Sequence, residues 1–150
     1  MTFTVRSIQK DDLSSVAAIE ALCFSEPWSE RALELLLTED ALGVVAVSDS
    51  GEILAYGGML LAPDEGQITN VATHPDFRRL GAGGAILRAL IGQAALRSLS
   101  TLALEVRESN TAAISLYERE GFAVMGRRKR FYKNPAEDAL VMLRTQPKTT

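Results

Sequence analysis

Arg78-Arg79-Leu80-Gly81-Ala82-Gly83-Gly84 is a basic, glycine-rich stretch that runs straight into an amphipathic segment. Its three glycines let the backbone turn tightly and bring several N–H groups close to a ligand with no Cβ in the way. From Ala85 to Leu96, the residues Leu87, Leu90, Ile91 and Ala94 recur at helical spacing, so the loop feeds a helix N-terminus. Unpaired N–H donors and the positive end of the helix dipole converge there on an anion, which makes the stretch a phosphate cradle. No Gly-Lys-Ser/Thr triplet closes it, so a nucleotide-hydrolysing P-loop is not supported. Ile86 stands where the dinucleotide fingerprint wants a third Gly or Ala. Taken alone, the same residues also fit a flexible surface loop that caps a helix.

Working outward from the loop, Gln67 to Thr73 reads as a strand that ends just before His74-Pro75. Upstream, Phe3 to Ile8 alternates in strand fashion, and Asp11 and Asp12 offer N-caps for a helix carrying Leu13, Val16, Ala17 and Glu20. A break at Pro27 precedes Ser29, a cap for a second helix through Leu33, Leu36 and Leu37. Gly43 to Ser48 and Ile53 to Leu61 form a hairpin about Asp49-Ser50-Gly51. Downstream come a strand from Thr101 to Arg107, a helix from Thr111 to Glu120 stopped by Gly121, and strands Ala123 to Tyr132 and Ala139 to Arg144 about Asn134-Pro135. The order predicts an α/β (α+β) fold, a mixed, mostly antiparallel sheet flanked by helices. Residues 1–144 read as a single domain and residues 145–150 as a loose polar tail.

A chain of 150 residues fits one core of ordinary size, and 47% hydrophobic with 23% charged residues is the balance of a globular protein in water. No segment has the run of about 20 apolar residues that a membrane span needs, so no membrane partner is expected. The N-terminus lacks a signal-peptide layout, and the single Cys23 excludes an internal disulfide; both agree with a reducing cytoplasm. A net charge of −3 argues against non-specific nucleic-acid binding and suits a basic protein or polyamine as substrate. Metal binding lacks a ligand cluster. Cys23 and the lone His74 have no orienting third group for nucleophilic catalysis. Arg127-Arg128-Lys129-Arg130 reads as a solvated strand edge before an anion site.

Arg78-x-x-Gly81-x-Gly83, between a strand and a helix, resembles the coenzyme loop of the GNAT superfamily of acetyl-CoA-dependent N-acetyltransferases. Three further segments are similar to the RimI-type ribosomal-protein-alanine N-acetyltransferases. They are Phe24-x-x-Pro27-Trp28-Ser29-Glu30, the run from Leu104 to Glu118, and Glu137-Asp138-Ala139-Leu140-x-Met142. The similarity spans about residues 3 to 144, and the segment from Glu105 to Phe122 is its most specific part. It implies the GNAT fold, acetyl-CoA as co-substrate and direct transfer of acetyl to a protein N-terminal amine, the alanine of a small-subunit ribosomal protein. A lysine side chain or small amine is the alternative acceptor. A non-catalytic coenzyme-binding interaction module is the alternative of another class.

The resemblance also distributes roles. Backbone N–H groups from Arg79, Leu80, Gly81, Ala82, Gly83 and Gly84 would hold the coenzyme pyrophosphate, and Asn70, Val71, Ala72 and Thr73 would run along its pantetheine arm. Asn110 would contact the coenzyme, although it is equally an N-cap for the helix that follows. Glu105 lies opposite Leu102, Leu104 and Val106 on its strand, and by family precedent it takes the proton of the attacking amine. Read from the strand alone, it also fits a solvated residue or a salt-bridge partner. Tyr117 sits one turn beyond Ala113 and Ile114, where a core tyrosine is expected; the family uses it to protonate the departing thiolate. Phe131-Tyr132 falls where the RimI type often shows two tyrosines, so one acceptor-groove hydroxyl is lost.

Overall fold

A computed structural model describes residues 2–147. Its seven strands are β1 (Phe3–Ser7), β2 (Ala41–Ser48), β3 (Ile53–Leu61), β4 (Glu65–Thr73), β5 (Thr101–Arg107), β6 (Ala123–Tyr132) and β7 (Glu137–Thr145). They form one sheet in the order β1-β2-β3-β4-β5-β7-β6. Every neighbouring pair is antiparallel except β4 and β5, which run parallel. The mixed, mostly antiparallel sheet flanked by helices matches the expectation from sequence. Four helices accompany it: α1 (Leu13–Cys23), α2 (Glu30–Leu33), α3 (Ala82–Leu96) and α4 (Thr111–Arg119).

Two apolar clusters fix which face each helix covers. Leu13, Val16 and Ile19 of α1 and Leu33 of α2 pack with Val45, Tyr56 and Ala72. Ile86, Leu87, Leu90 and Ala94 of α3 and Tyr117 of α4 pack with Leu54, Met59, Leu102, Leu104 and Met142. The sheet is therefore covered on both faces, and its central strands read as near-continuous apolar runs for that reason. At Gly57 of β3, an added Cβ would lie 2.5 Å from Ile86 Cγ2 and 3.0 Å from Leu90 Cδ1, so only glycine lets α3 sit this close to the strand. By contrast β6, an edge strand, is exposed over nearly its whole length.

Several boundaries move, each for a physical reason. Helix α3 begins at Ala82, not Ala85, because Gly83 and Gly84 enter its first turn despite their low propensity. Ser29 caps α2 as read, its side chain accepting from the Ala32 N–H at 3.1 Å, but after Leu33 the chain tightens into a 3-10 turn, Glu34–Leu37. Strand β7 runs on to Thr145, and Gln146 behind it is buried, so the polar tail starts later than expected; residues 148–150 lie outside the described residues.

Asp12 stands at the N-cap position of α1, but its side chain does not cap the helix. It precedes the helix in a 3-10 turn, Lys10–Asp12, where its carboxylate accepts from Arg6 at 2.7 and 3.0 Å and from the Gln9 N–H at 2.8 Å. The Arg6 hydrogen bond is the main reason its carboxyl is held below the ordinary carboxylate range. Asp12→Asn should cost about 1.5–3 kcal/mol at neutral pH, the range for hydrogen bonds to a charged group. Because the folded value is depressed, this contribution is complete above the unfolded carboxylate value of about 3.9 and is lost as pH falls through the folded value. Denaturant titrations of both proteins should therefore differ constantly from pH 5 to 8 and converge in acid. A gap that persists below both values would contradict the pairing.

Candidate active site

The parallel ladder between β4 and β5 ends after three pairs, Glu65↔Thr101, Gly66↔Leu102 and Gln67↔Ala103. Beyond Gln67 the strands part, while β4 stays paired with β3 and β5 with β7. Two neighbouring cavities of about 580 and 710 Å³ fill this wedge. They share Cys23, Phe24, Val71, Asn110, Ala113 and Tyr117, so they form one continuous groove. A sheet that splays in its middle leaves peptide groups of the facing edges without ladder partners, a ready site for an extended ligand.

At one end lies the glycine loop. Gly81 adopts φ +84°, which a glycine takes at no steric cost, and Arg79 before it is also left-handed at +67°. Gly81 is the N-cap residue, and among the described residues no side chain caps α3. The first helical bond there is Ala85 N–H to Gly81 C=O at 3.1 Å, which leaves the amides of Ala82, Gly83 and Gly84 without an intrahelical acceptor. Gly81, Ala82, Gly83 and Gly84 line the groove together with Arg78, Arg79 and Arg119. Donors of this kind, backed by guanidinium groups, fit a diphosphate without a metal. Of the residues read as the cradle, Leu80 alone does not line the groove; it is partly exposed.

The middle of the groove brings together the residues that the resemblance singles out for the chemistry. Val71, Ala72 and Thr73 of β4 line it. Asn110 caps α4, its side-chain oxygen accepting from the Ala113 N–H at 3.2 Å, and it lines both halves of the groove. Tyr117 is buried, and burial, with the neighbouring Tyr132 phenol, pushes its hydroxyl up to about 12. Every fully enclosed side-chain polar atom among the described residues has a partner. The Tyr117 hydroxyl has none among those residues, so it opens on the groove that its residue lines. A core tyrosine would have its hydroxyl bonded to backbone.

Glu105 stands on the opposite wall, its side chain 18% exposed. Gln67 Nε2 donates to its Oε2 at 2.9 Å, across the point where β4 and β5 separate. Arg128 Nε lies 3.5 Å from its Oε1, and the Arg128 side chain is 60% exposed, so this ion pair is screened and weak. Its guanidinium also lies 5.8 Å from the Phe131 ring centroid. Arg127 pairs with Glu108 and Asp138, which leaves the basic run of β6 partly neutralised by carboxylates.

The open end of the groove is walled by Phe24, Ser25, Glu26 and Trp28 on one side and by Phe131, Tyr132 and Pro135 on the other. Arg107 links the two walls. Its guanidinium donates to the carbonyls of Pro135 and Lys133 at 2.9 and 3.0 Å and to Ser25 Oγ at 3.3 Å, and it lies 4.4 Å over the Tyr132 ring. Cys23 and His74 do not pair: Cys23 Sγ donates to the Thr73 carbonyl, and His74 Nδ1 accepts from the Asp76 N–H. Burial pushes the Cys23 thiol up, against the thiolate a nucleophile needs.

Two polar features of the groove escaped the reading of motifs. Arg107 ends a strand and lies inside the run that resembles the RimI type, but its spacing gives it no role of its own. Glu20 was counted on the buried stripe of its helix without a partner, and a glutamate on an apolar face was the available signal. It is fully buried and accepts hydrogen bonds from Tyr56, Asn70 and the Trp28 N–H.

The acetyltransferase (GNAT) family matches residues 13–122 of this chain. The ribosomal protein bS18-alanine N-acetyltransferase of Escherichia coli (strain K12) is 36% identical over 141 residues, which cover 93% of this chain and 95% of that protein. The crystal structure of the ribosomal-protein-S18-alanine N-acetyltransferase from Escherichia coli superposes with a TM-score of 0.91 at 33% identity, covering 99% of this chain and 97% of that one. A phosphinothricin acetyltransferase from Sinorhizobium meliloti, solved in complex with AcCoA, shares the fold with a TM-score of 0.85 at 21% identity, covering 100% of this chain and 91% of that one.

Proposed function

This chain belongs to the acetyltransferase (GNAT) family, and from that premise we propose that it moves acetyl from acetyl-CoA to a protein N-terminal amine, the alanine of a small-subunit ribosomal protein. The observation that carries the reading is the β4–β5 wedge. It joins a glycine-lined helix N-terminus without a side-chain cap to an open groove that Glu105 and Tyr117 both line. The amides of Ala82, Gly83 and Gly84 fit the pyrophosphate, and the free edge of β4 fits the pantetheine arm as an added strand.

A free α-amino group with a pKa near 8 is largely protonated at pH 7 and must lose a proton before its lone pair can attack. Glu105 takes that proton, directly or through water. The amine nitrogen then bonds to the thioester carbonyl carbon, a backbone N–H of β4 receives the developing oxyanion, and the C–S bond breaks. Tyr117 faces the sulfur as it leaves. Its hydroxyl, pushed up to about 12 by burial, stays protonated at neutral pH and so remains a hydrogen-bond donor. It gives a hydrogen bond to the nascent thiolate, and the second proton that the nitrogen sheds as it becomes an amide protonates the sulfur, while the first leaves from Glu105 to solvent.

Labelled acetyl-CoA offered to a peptide starting with alanine, to its N-terminally blocked twin and to a lysine-bearing control tests the acceptor. Label on the free alanine peptide alone is expected. Label on the blocked twin would replace the N-terminal acceptor by a side chain, and tight coenzyme binding with no labelled amine would favour an interaction module.

Gly83→Val tests the cradle. An added Cβ meets Thr73 Oγ1 at 3.2 Å, a contact that can yield, so the variant should fold. Its larger branches would fill the space in front of the free amides. Losing one charge-assisted hydrogen bond, at about 1.5–3 kcal/mol, weakens acetyl-CoA binding at least about tenfold. Unchanged affinity by calorimetry in a folded variant would mean that the phosphates bind elsewhere.

A further inference from the structure

We propose that Glu20 is a positioning residue that locks the free edge of β4 and the acceptor wall into one geometry through Asn70 and the Trp28 N–H. The inference rests on the acyl-transfer reading of the groove and assigns to it a fully buried residue that acts through its hydrogen-bond partners.

Strand β4 is not regular. Its register against β3 steps from Gly58↔Asn70 to Met59↔Ile68, so Thr69 is an extra, unpaired residue. A bulge of this kind breaks the two-residue alternation and re-aims the strand. The burial pattern records the shift. Ile68 and Val71 both pack with the cluster under α3, whereas on an unbroken strand residues three apart face opposite ways. Ala72 packs under α1, and Asn70 faces the same way. The bulged residue, Thr69, lies two residues beyond Gln67, the last β4 residue paired with β5. The residues whose backbone is read as holding the acyl chain therefore owe their orientation to it.

Glu20 is what the bulge is tied to. Asn70 Nδ2 donates to Glu20 Oε1 at 2.6 Å and lies 3.3 Å from the Tyr56 hydroxyl, which itself donates to Oε1. The Trp28 N–H donates to Oε2 at 2.8 Å. One carboxylate with no exposure thus receives three donors from β3, from the bulged part of β4 and from the loop after α1. Burial raises the Glu20 carboxyl above its ordinary range while the three donors oppose that rise. A fully partnered buried network specifies one arrangement, and a half-partnered one does not. Trp28 and Asn70 both line the same cavity, so holding both from one side chain fixes the β4 edge against that part of the acceptor wall.

The test exploits the donor–acceptor pattern. Glu20→Gln leaves one acceptor oxygen where two served, so its amide faces either the Trp28 N–H or the Asn70 amide, and Asn70→Asp sets two carboxylates together; each disturbs the pair. The double variant E20Q/N70D interchanges the two chemistries and matches them again. We expect each single variant to lose at least about fivefold in kcat with acetyl-CoA affinity by calorimetry within about threefold of wild type. The double variant should recover most of that loss. Single variants with normal kcat, losses in kcat matched by losses in coenzyme affinity, or a double variant no better than the worse single one would overturn the proposal. If E20Q does not fold, Tyr56→Phe removes one donor and leaves every charge in place. A loss of about threefold in kcat at an unchanged melting temperature then supports the role, and full activity refutes it. Rates are measured on whichever amine wild type labels, or on slow acetyl-CoA hydrolysis if it labels none. Failure of the alanine acceptor in wild type therefore stays separate from failure of the Glu20 role.

Discussion

Replacing Glu105 by glutamine lowers kcat by about 10²–10⁴ while acetyl-CoA affinity stays within a few-fold of wild type, the range expected when a positioned general base is removed. The substitution keeps the size of the side chain and its place opposite Val141 in the β5–β7 ladder. It also keeps an oxygen that can accept from Gln67 Nε2, which now stands 2.9 Å away. What it removes is the capacity to take a proton from an ammonium. The weak ion pair with Arg128 is lost as well, but a largely exposed pair contributes about 0–1 kcal/mol and accounts for little of the effect. Steady-state rates and calorimetry on one preparation separate the two roles. A fall of less than tenfold would leave Glu105 as a residue that only orients the acceptor.

Tyr117→Phe is expected to lower kcat by about ten- to a hundredfold at a nearly normal melting temperature. The ring packs at 5.9 Å, centroid to centroid, on Phe122 within the cluster under α3, and phenylalanine keeps that contact. The hydroxyl has no hydrogen-bond partner among the described residues, so its removal strands no other polar group. A stability loss of roughly 1 kcal/mol would be expected only if it bonded to backbone. Turnover should suffer because the departing sulfur then faces a ring edge with no donor. Normal turnover would take Tyr117 out of the chemistry and leave the coenzyme cradle untouched.

The two variants also show what a sequence can carry. The glycine loop was legible because its physics is local. Gly81 at a left-handed φ and the uncapped start of α3 depend on residues within one turn. Asn110 and Ser29 were readable as caps for the same reason. Glu105 and Tyr117 were named through family resemblance; the strand pattern alone left Glu105 equally fit for solvent, and only the splay of β4 from β5 places both on one groove. Asp12 was misread because its partner, Arg6, competes with the helix for its carboxylate. The bulge at Thr69 had no signal in the order of residues, and it exists in the register between two strands. Glu20 did leave a trace, a carboxylate on an apolar stripe, but its three donors come from parts of the chain 8, 36 and 50 residues away.

Direct transfer within one groove is the central claim, and an initial-rate matrix of acetyl-CoA against an alanine-starting peptide tests it most directly. Intersecting double-reciprocal lines, with no acetyl group on the protein when the peptide is omitted, are the predicted result. Parallel lines, together with a stably acetylated enzyme at Cys23, would contradict it.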